Sequence, residues 1–366
     1  MIKMILIIAV FITFNVLDIL GSEPFEVEII TKNLHYPWGI VFIDDRTALV
    51  TEKTGKIKKI TLNNGKKTTI SGGPKVIVVG QGGLLDIVKH PLFNQNQLLY
   101  FSYSKQIARQ NTTAVARGRL IGNKIKDIQD ILITNAISQG GHHFGSRLAF
   151  DKNGLLYVTV GERGDRKRAQ LLNSHAGKVL RVKDDGTIPE DNPYVKKMNV
   201  KPEIYTWGHR NPQGLVYDAV SDRMWLHEHG PKGGDEVNLL KAGLNYGWPV
   251  ITYGREYSGF KVTDQTHHPD MSQPTWQWTP SIAPSGLLVV TGHQFPQWKG
   301  DLLVGALKFR LISHLSLNQA KVVSEKRYLK GLNERIRALK MGPKGNIYLL
   351  TDSSQGQLIK LSTSSK

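Results

Sequence analysis

Short apolar runs separated by turns of Asp, Asn, Pro and Gly recur along almost the whole chain. The first runs from Trp38 to Glu52 and breaks at Asp44-Asp45-Arg46; Gly55 to Ile60 follows it, with isoleucine and lysine alternating as in a half-buried strand. Leu84 to Tyr103 repeats the theme. Leu148 to Gly161 repeats it again around Asp151-Lys-Asn-Gly154, where Asn-Gly is a strong hairpin signal. Gly214 to His229, Gly286 to Leu307 and Ile336 to Asp352 bring the total to six units at intervals of about 45 to 70 residues, a spacing that fits propeller blades with loops of unequal length. Long amphipathic helical patterns are nearly absent. The expected fold is all-β, a six-bladed β-propeller, with a pair of β-sandwiches as the alternative. A propeller ring has to be closed, and Phe25 to Ile30 alternates well enough to complete the last blade beside Gly356 to Leu361.

The amino terminus departs from this pattern. Lys3 precedes an apolar run from Met4 to Leu20 that ends at Gly21-Ser22, the layout of a secretory signal peptide. Asn15 and Asp18 interrupt the run, which argues against a spanning helix of about 20 apolar residues. Cleavage is expected near residue 21 or 22, so that residues 1–22 are a signal peptide and 23–366 a single propeller domain, periplasmic or secreted and without stable membrane insertion.

Composition narrows the chemistry. The chain has no cysteine, which removes disulfides, thiolate metal sites and cysteine nucleophiles. Hydrophobic residues make up 40% of the 366, enough for a substantial core. The net charge is +18, but the lysines fall in short groups such as Lys56, Lys58 and Lys59 or Lys196 and Lys197, with no interleaved aromatics. The charge is therefore read as a solvated face, with no nucleic-acid partner.

Several glycine-rich segments carry reactive or ionic side chains: Gly80-Gln81-Gly82-Gly83, Gly140-Gly141-His142-His143, and Gly208-His209-Arg210-Asn211. Lys308 lies in Ala306 to Arg310, and Arg335 and Arg337 in Asn333 to Arg337. On matching positions of successive blades they would converge on one channel mouth, a cationic pocket suited to several carboxylates or phosphates. Taken singly, each arginine also reads as a surface ion pair, and the two histidines as an idle turn. His227-Glu228-His229-Gly230-Pro231 lacks the helical spacing of a zinc protease, and its glycine and proline turn suits calcium bound through carbonyl oxygens, a weak signal alone. No P-loop, nucleophile elbow or dinucleotide fingerprint is present.

Gly80-Gln-Gly-Gly-Leu-Leu85, His143-Phe-Gly-Ser-Arg-Leu148, Gly208-His-Arg-Asn-Pro-Gln-Gly-Leu215, Glu228-His-Gly-Pro231 with Asp235-Glu236, Leu244-Asn-Tyr-Gly-Trp-Pro249 and Pro280-Ser-Ile-Ala-Pro-Ser285 occur in order. Together they resemble the soluble aldose and glucose dehydrogenases that depend on pyrroloquinoline quinone (PQQ), over nearly all of the chain beyond residue 22. The resemblance implies oxidation of an aldose at the anomeric carbon to the lactone, with PQQ and calcium as cofactors and electrons passed to an external acceptor. It implies that His143, and not its neighbour His142, takes the proton from the anomeric hydroxyl. Gln81, Arg210, Asn211, Lys308, Arg335 and Arg337 would bind the cofactor, and Gly230 and Pro231 would offer backbone carbonyls to calcium. Thr279 stands where the glucose enzymes carry a bulky aromatic, with Trp276 and Trp278 nearby, which points to the broader aldose branch. The loop Gly161-Glu-Arg-Gly164 also differs, so no role carries over to Arg163. A calcium-dependent propeller hydrolase or lactonase and a non-enzymatic binding propeller are the competing readings.

Overall fold

The computed structural model describes residues 23–363; the expected signal segment lies outside them. These residues build six four-stranded antiparallel sheets arranged as the blades of a β-propeller. The innermost strands of blades 1 to 6 are Pro37–Asp44, Leu84–Lys89, Leu148–Phe150, Pro212–Asp218, Pro284–Val289 and Ile336–Met341, and neighbouring innermost strands pack against one another around the axis. Each corresponds to one of the six repeating units of the sequence. The hairpin expected at Asn153-Gly154 is present, pairing Leu148 with Val158 and Phe150 with Leu156.

The strands are apolar on both sides because each sheet is covered by two neighbours. Successive side chains of a strand point to opposite faces. In blade 1, Leu49 and Val41 pack with Ile87, Leu99 and Phe101 of blade 2. The intervening Ala48 and Val50 pack with Ala338, Leu350 and Leu358 of blade 6. Each fully buried Leu or Ile contributes about 1.5–3 kcal/mol relative to exposure, so the ring is held mainly by the contacts between blades.

Ring closure follows the expected device. Glu26–Leu34 pairs antiparallel with Gly356–Ser362, matching Val27 with Leu361 and Ile29 with Ile359, and forms the outermost strand of blade 6. The longest departure from the four-stranded plan lies in blade 4, between Asp235–Leu239 and Trp276–Trp278. This insertion carries Trp248 and a small hairpin in which Arg255 bridges both Lys232 and Lys261. Among the described residues, no helix is long and apolar enough to cross a membrane.

Candidate active site

In an antiparallel meander the start of the first strand and the end of the second lie at the same end of the blade. Each blade therefore presents two segments to one face of the ring. The segments entering the innermost strands bring Trp38, Gln81, Phe144, Asn211, Ala283 and Arg337 to a cavity of about 330 Å³ at that face, the lower end of the range for small-molecule sites. Segments leaving the second strands add Lys53, His229, Leu307 and Asp352. A larger cavity of about 1130 Å³, lined by Asp44, Lys89, Phe150 and Lys340 among others, opens where the innermost strands end, at the opposite mouth of the axis. It gathers none of the candidate site residues.

Four of the residues expected at the site, Gln81, Asn211, Arg335 and Arg337, line the cavity. His143 sits beside it, its backbone N–H donating to Gln81 Oε1 at 2.9 Å. The side chain is anchored by Glu162, whose Oε1 lies 2.6 Å from His143 Nδ1. A carboxylate accepts only, so Nδ1 carries the proton and Nε2 is left as the basic nitrogen. Nε2 has no hydrogen-bond partner among the described residues. Burial lowers the pKa of His143 below its ordinary value, the Glu162 hydrogen bond opposes this, and the Arg210 charge pushes it lower. The net shift keeps the ring neutral at neutral pH, as a proton acceptor requires.

The His143 backbone is in the left-handed region, with φ +52°, a rare conformation for a residue other than glycine. Its surroundings enforce it. Gly161, at the end of the second strand of blade 3, lies so close that a Cβ there would be 2.1 Å from His143 O. Arg163, for which no role was expected, is buried and braces the loop from behind: Nη2 donates to Gly140 O at 3.1 Å and to Asn111 Oδ1 at 2.6 Å, Nη1 donates to His142 O, and the guanidinium lies 3.5 Å from the Phe144 ring centroid. On the other side, a Cβ at Gly80 would fall 2.4 Å from Gly141 O, and Gln81 N donates to that same oxygen at 2.7 Å.

Across the cavity, Arg337 Nη2 and Arg335 Nη2 both donate to Asp352 Oδ2 at 2.9 Å, and Arg337 Nη1 reaches Gln213 Oε1 at 3.3 Å. Burial alone would raise the Asp352 pKa, but the two guanidinium groups outweigh it and hold the carboxyl below its ordinary range. Lys53, also on the cavity wall, donates to Gly80 O.

Arg210 and Gly230 lie together in a small adjoining pocket that shares His229 with the cavity, and Arg210 Nη1 donates to Gly230 O at 2.9 Å and to His229 O at 3.2 Å. Asp235 holds this turn, accepting from Gly230 N at 3.0 Å and, through its other oxygen, from Ser281 Oγ, Ile282 N and Ala283 N. The Pro231 carbonyl accepts no hydrogen bond from the described residues. Among those residues no three His, Asp or Glu side chains are grouped to hold a metal, so a cation at this turn would rely on carbonyl oxygens. Lys308 departs from the expected cluster. It follows the second strand of blade 5, is exposed, and does not line the cavity.

Glu162, Lys53 and Asp352 were not among the residues expected at the site. Each follows an apolar second strand, after Val160-Gly161, Thr51-Glu52 and Thr351 respectively. A charged residue at the end of such a run was the available signal.

The model of the Glucose / Sorbosone dehydrogenase family matches residues 34–360. The chain is 39% identical over 342 residues to the aldose sugar dehydrogenase of Escherichia coli, covering 92% of each protein. It is 26% identical over 416 residues to quinoprotein glucose dehydrogenase B of Acinetobacter calcoaceticus, covering 91% of this chain and 86% of that one. The crystal structure of the soluble E. coli aldose sugar dehydrogenase in the apo-form matches with a TM-score of 0.90 at 39% identity, over 93% of this chain and 100% of that one. The PQQ-bound aldose sugar dehydrogenase of Streptomyces coelicolor shares the fold, with a TM-score of 0.75 at 23% identity over 94% of this chain and 100% of that one. With its six-bladed ring and a family match that spans all six innermost strands, the chain belongs to the glucose/sorbosone dehydrogenase family.

Proposed function

We propose that this protein oxidises aldose sugars at the anomeric carbon to the lactone, with PQQ and calcium as cofactors and an external acceptor for the electrons. The observation that carries the reading is the pairing of His143 with Glu162 beside a cavity walled by arginines. Its neighbourhood supplies a neutral base, and the cavity supplies the cations that a tricarboxylate needs.

The residues fit such a cofactor. Arg335, Arg337 and Lys53 offer charge, Gln81 and Asn211 offer amides, and the buried Nε of Arg337 has no partner among the described residues. Arginine forks match carboxylate oxygens bidentately. Arg210 closes the same face, next to the Gly230 and Pro231 turn, whose carbonyl oxygens are hard donors of the kind calcium accepts. The bound quinone would supply the hydride acceptor, and calcium a Lewis acid beside it.

The protein's own part is then proton transfer and orientation. His143 Nε2 takes the proton of the anomeric hydroxyl, and Glu162 holds the ring in the required tautomer and stabilises the imidazolium that forms. Arg163 and Gly161 fix the loop so that the base stays in place before the sugar arrives. Thr279, small and hydroxylated, packs at the turn by donating to Gln277 Oε1 and accepting from Gly234 N, and leaves the sugar side open to a range of aldoses. Export with removal of residues 1–22 and a periplasmic or secreted location fit an enzyme that hands electrons to an external acceptor.

A calcium-dependent hydrolase would set carboxylates around a central ion. In this ring the axial carboxylates, Asp86 and Asp352, are each bound to arginines. The deciding experiment adds PQQ and calcium to purified protein and follows both the quinone absorbance and dye reduction with several aldoses. Uptake with sugar-dependent reduction is expected; absence of both, or lactone hydrolysis in their place, ends the reading.

A further inference from the structure

One motif residue has no part in the site described so far. Arg147 ends the His143 to Arg147 segment and sits immediately before the innermost strand of blade 3. Its side chain turns inward to the axis, where it is buried. There the guanidinium meets all five other blades. Nε donates to Gln213 O of blade 4 at 2.8 Å, and Nη2 to Ser285 O of blade 5 at 3.3 Å and to Arg337 O of blade 6 at 2.9 Å. Nη1 donates to Asp86 Oδ1 of blade 2 at 3.3 Å, and the guanidinium carbon stands 3.9 Å from the Trp38 ring centroid of blade 1.

These partners are not incidental to the cavity. Gln213, Arg337 and Trp38 all line it, whereas Arg147 does not. Arg147 lies one layer below, in the narrow axial gap with Asp86 and Lys340. It grips the backbone carbonyls of two residues whose side chains meet above it, Gln213 Oε1 and Arg337 Nη1, 3.3 Å apart. It also packs on Trp38, whose ring stands 5.9 Å from the Arg337 guanidinium. Four of the five N–H groups of a guanidinium are thus aimed in a plane at four different blades, a geometry an ammonium cannot reproduce.

We propose that Arg147 is a positioning residue that sets the floor of the cofactor cavity, fixing Arg337, Gln213 and Trp38 relative to one another by clasping all the blades at the axis. The inference rests on the PQQ reading for its ligand. Because Arg147 acts through other residues, its loss changes affinity for the cofactor and leaves the base on its separate anchor, Glu162.

The test is calorimetric titration of the purified calcium-loaded protein with PQQ, for wild type, Arg147→Lys, Arg337→Lys and the double variant, beside thermal melts and the pH profile of sugar oxidation. Arg147→Lys is expected to weaken PQQ binding about tenfold or more, with an unchanged pH profile at saturating cofactor. The losses of the two single variants should be less than additive in the double variant, since both act on the same guanidinium. Binding by Arg147→Lys within about twofold of wild type, additive losses, or a lowered melting point with normal affinity would each overturn the inference while leaving the proposed function intact. A wild-type protein that takes up no PQQ overturns both. Should Arg147→Lys not fold, Asp86→Asn, which keeps the guanidinium but loosens its carboxylate anchor, is read in the same titration against the same outcomes.

Discussion

Glu162 Oε1 and His143 Nδ1 lie 2.6 Å apart, and Gly161, the residue before Glu162, packs so closely on the His143 carbonyl that it has no room for a side chain. One segment thus supplies the base, and the next strand of the same blade supplies the group that orients it.

The pH dependence of turnover follows from this pair. Burial lowers the pKa of His143, while the hydrogen bond and charge of Glu162 raise it. A base works when deprotonated, so activity is lost as pH falls through the pKa of the folded protein, and the acid limb of kcat/KM should lie below the ordinary histidine value. Replacing Glu162 with Gln removes the charge that favours the imidazolium, so the acid limb moves to still lower pH as kcat falls. An acid limb that shifts upward would mean that another group is titrating.

Removing the base itself separates chemistry from binding. His143→Ala should reduce sugar oxidation by about 10²- to 10⁴-fold, the range for a positioned general base. PQQ uptake, read by calorimetry, should change little, because the cavity wall is made by other side chains. Parallel loss of uptake would assign His143 a structural task.

Gly161→Ala tests the backbone contact. Its Cβ would meet His143 O at 2.1 Å, too close to be relieved without moving the loop. Turnover should collapse nearly as far as in the base variant, with a cost of about 1–3 kcal/mol in stability. A normal kcat in a folded Gly161→Ala protein would show that the loop geometry is not needed.

Arg337→Met removes a guanidinium that faces the cavity and shares Asp352 with Arg335. A charge-assisted hydrogen bond contributes about 1.5–3 kcal/mol, so PQQ should bind about 10- to 100-fold more weakly. Titration of the apo-protein reads this directly, and unchanged affinity would remove Arg337 from the cofactor site.

Acid should destabilise the fold through its buried histidines. His227 and His175 are buried, and burial lowers the pKa of both, most strongly for His227. Unfolding lets them bind protons at the ordinary value of about 6.5. The unfolded chain therefore binds more protons than the folded one below that pH, and stability is lost progressively as pH falls from about 6.5 toward the lowered values in the folded state. Burial raises the pKa of Asp235 to about 6 and of Glu236 to about 8, which adds stability as pH falls and opposes the histidines. The test therefore compares melting points of wild type and His227→Gln between pH 7.5 and pH 5. The difference between the two proteins should change with pH, and a constant difference would mean that the His227 ring is not neutral in the folded state.

The amino-acid sequence by itself determined the number of blades, the strand that closes the ring, and the shared location of Gln81, Asn211, Arg335 and Arg337. These follow from local chemistry: short apolar runs mark the inner strands, glycine and proline mark the turns, and six repeats of one unit place equivalent loops on one face. Only the tertiary structure decided which of those loops' side chains enter the cavity and what supports them. Lys308, grouped with the others by its motif, is exposed and lies outside the cavity, while its chain neighbour Leu307 lines the wall. Glu162 and Asp352 become partners of His143 and of the two arginines only when a strand returns antiparallel to its neighbour. Arg147 contacts carbonyls at Gln213, Ser285 and Arg337, far along the chain, and they surround one guanidinium because the closed ring brings the start of every innermost strand to the axis.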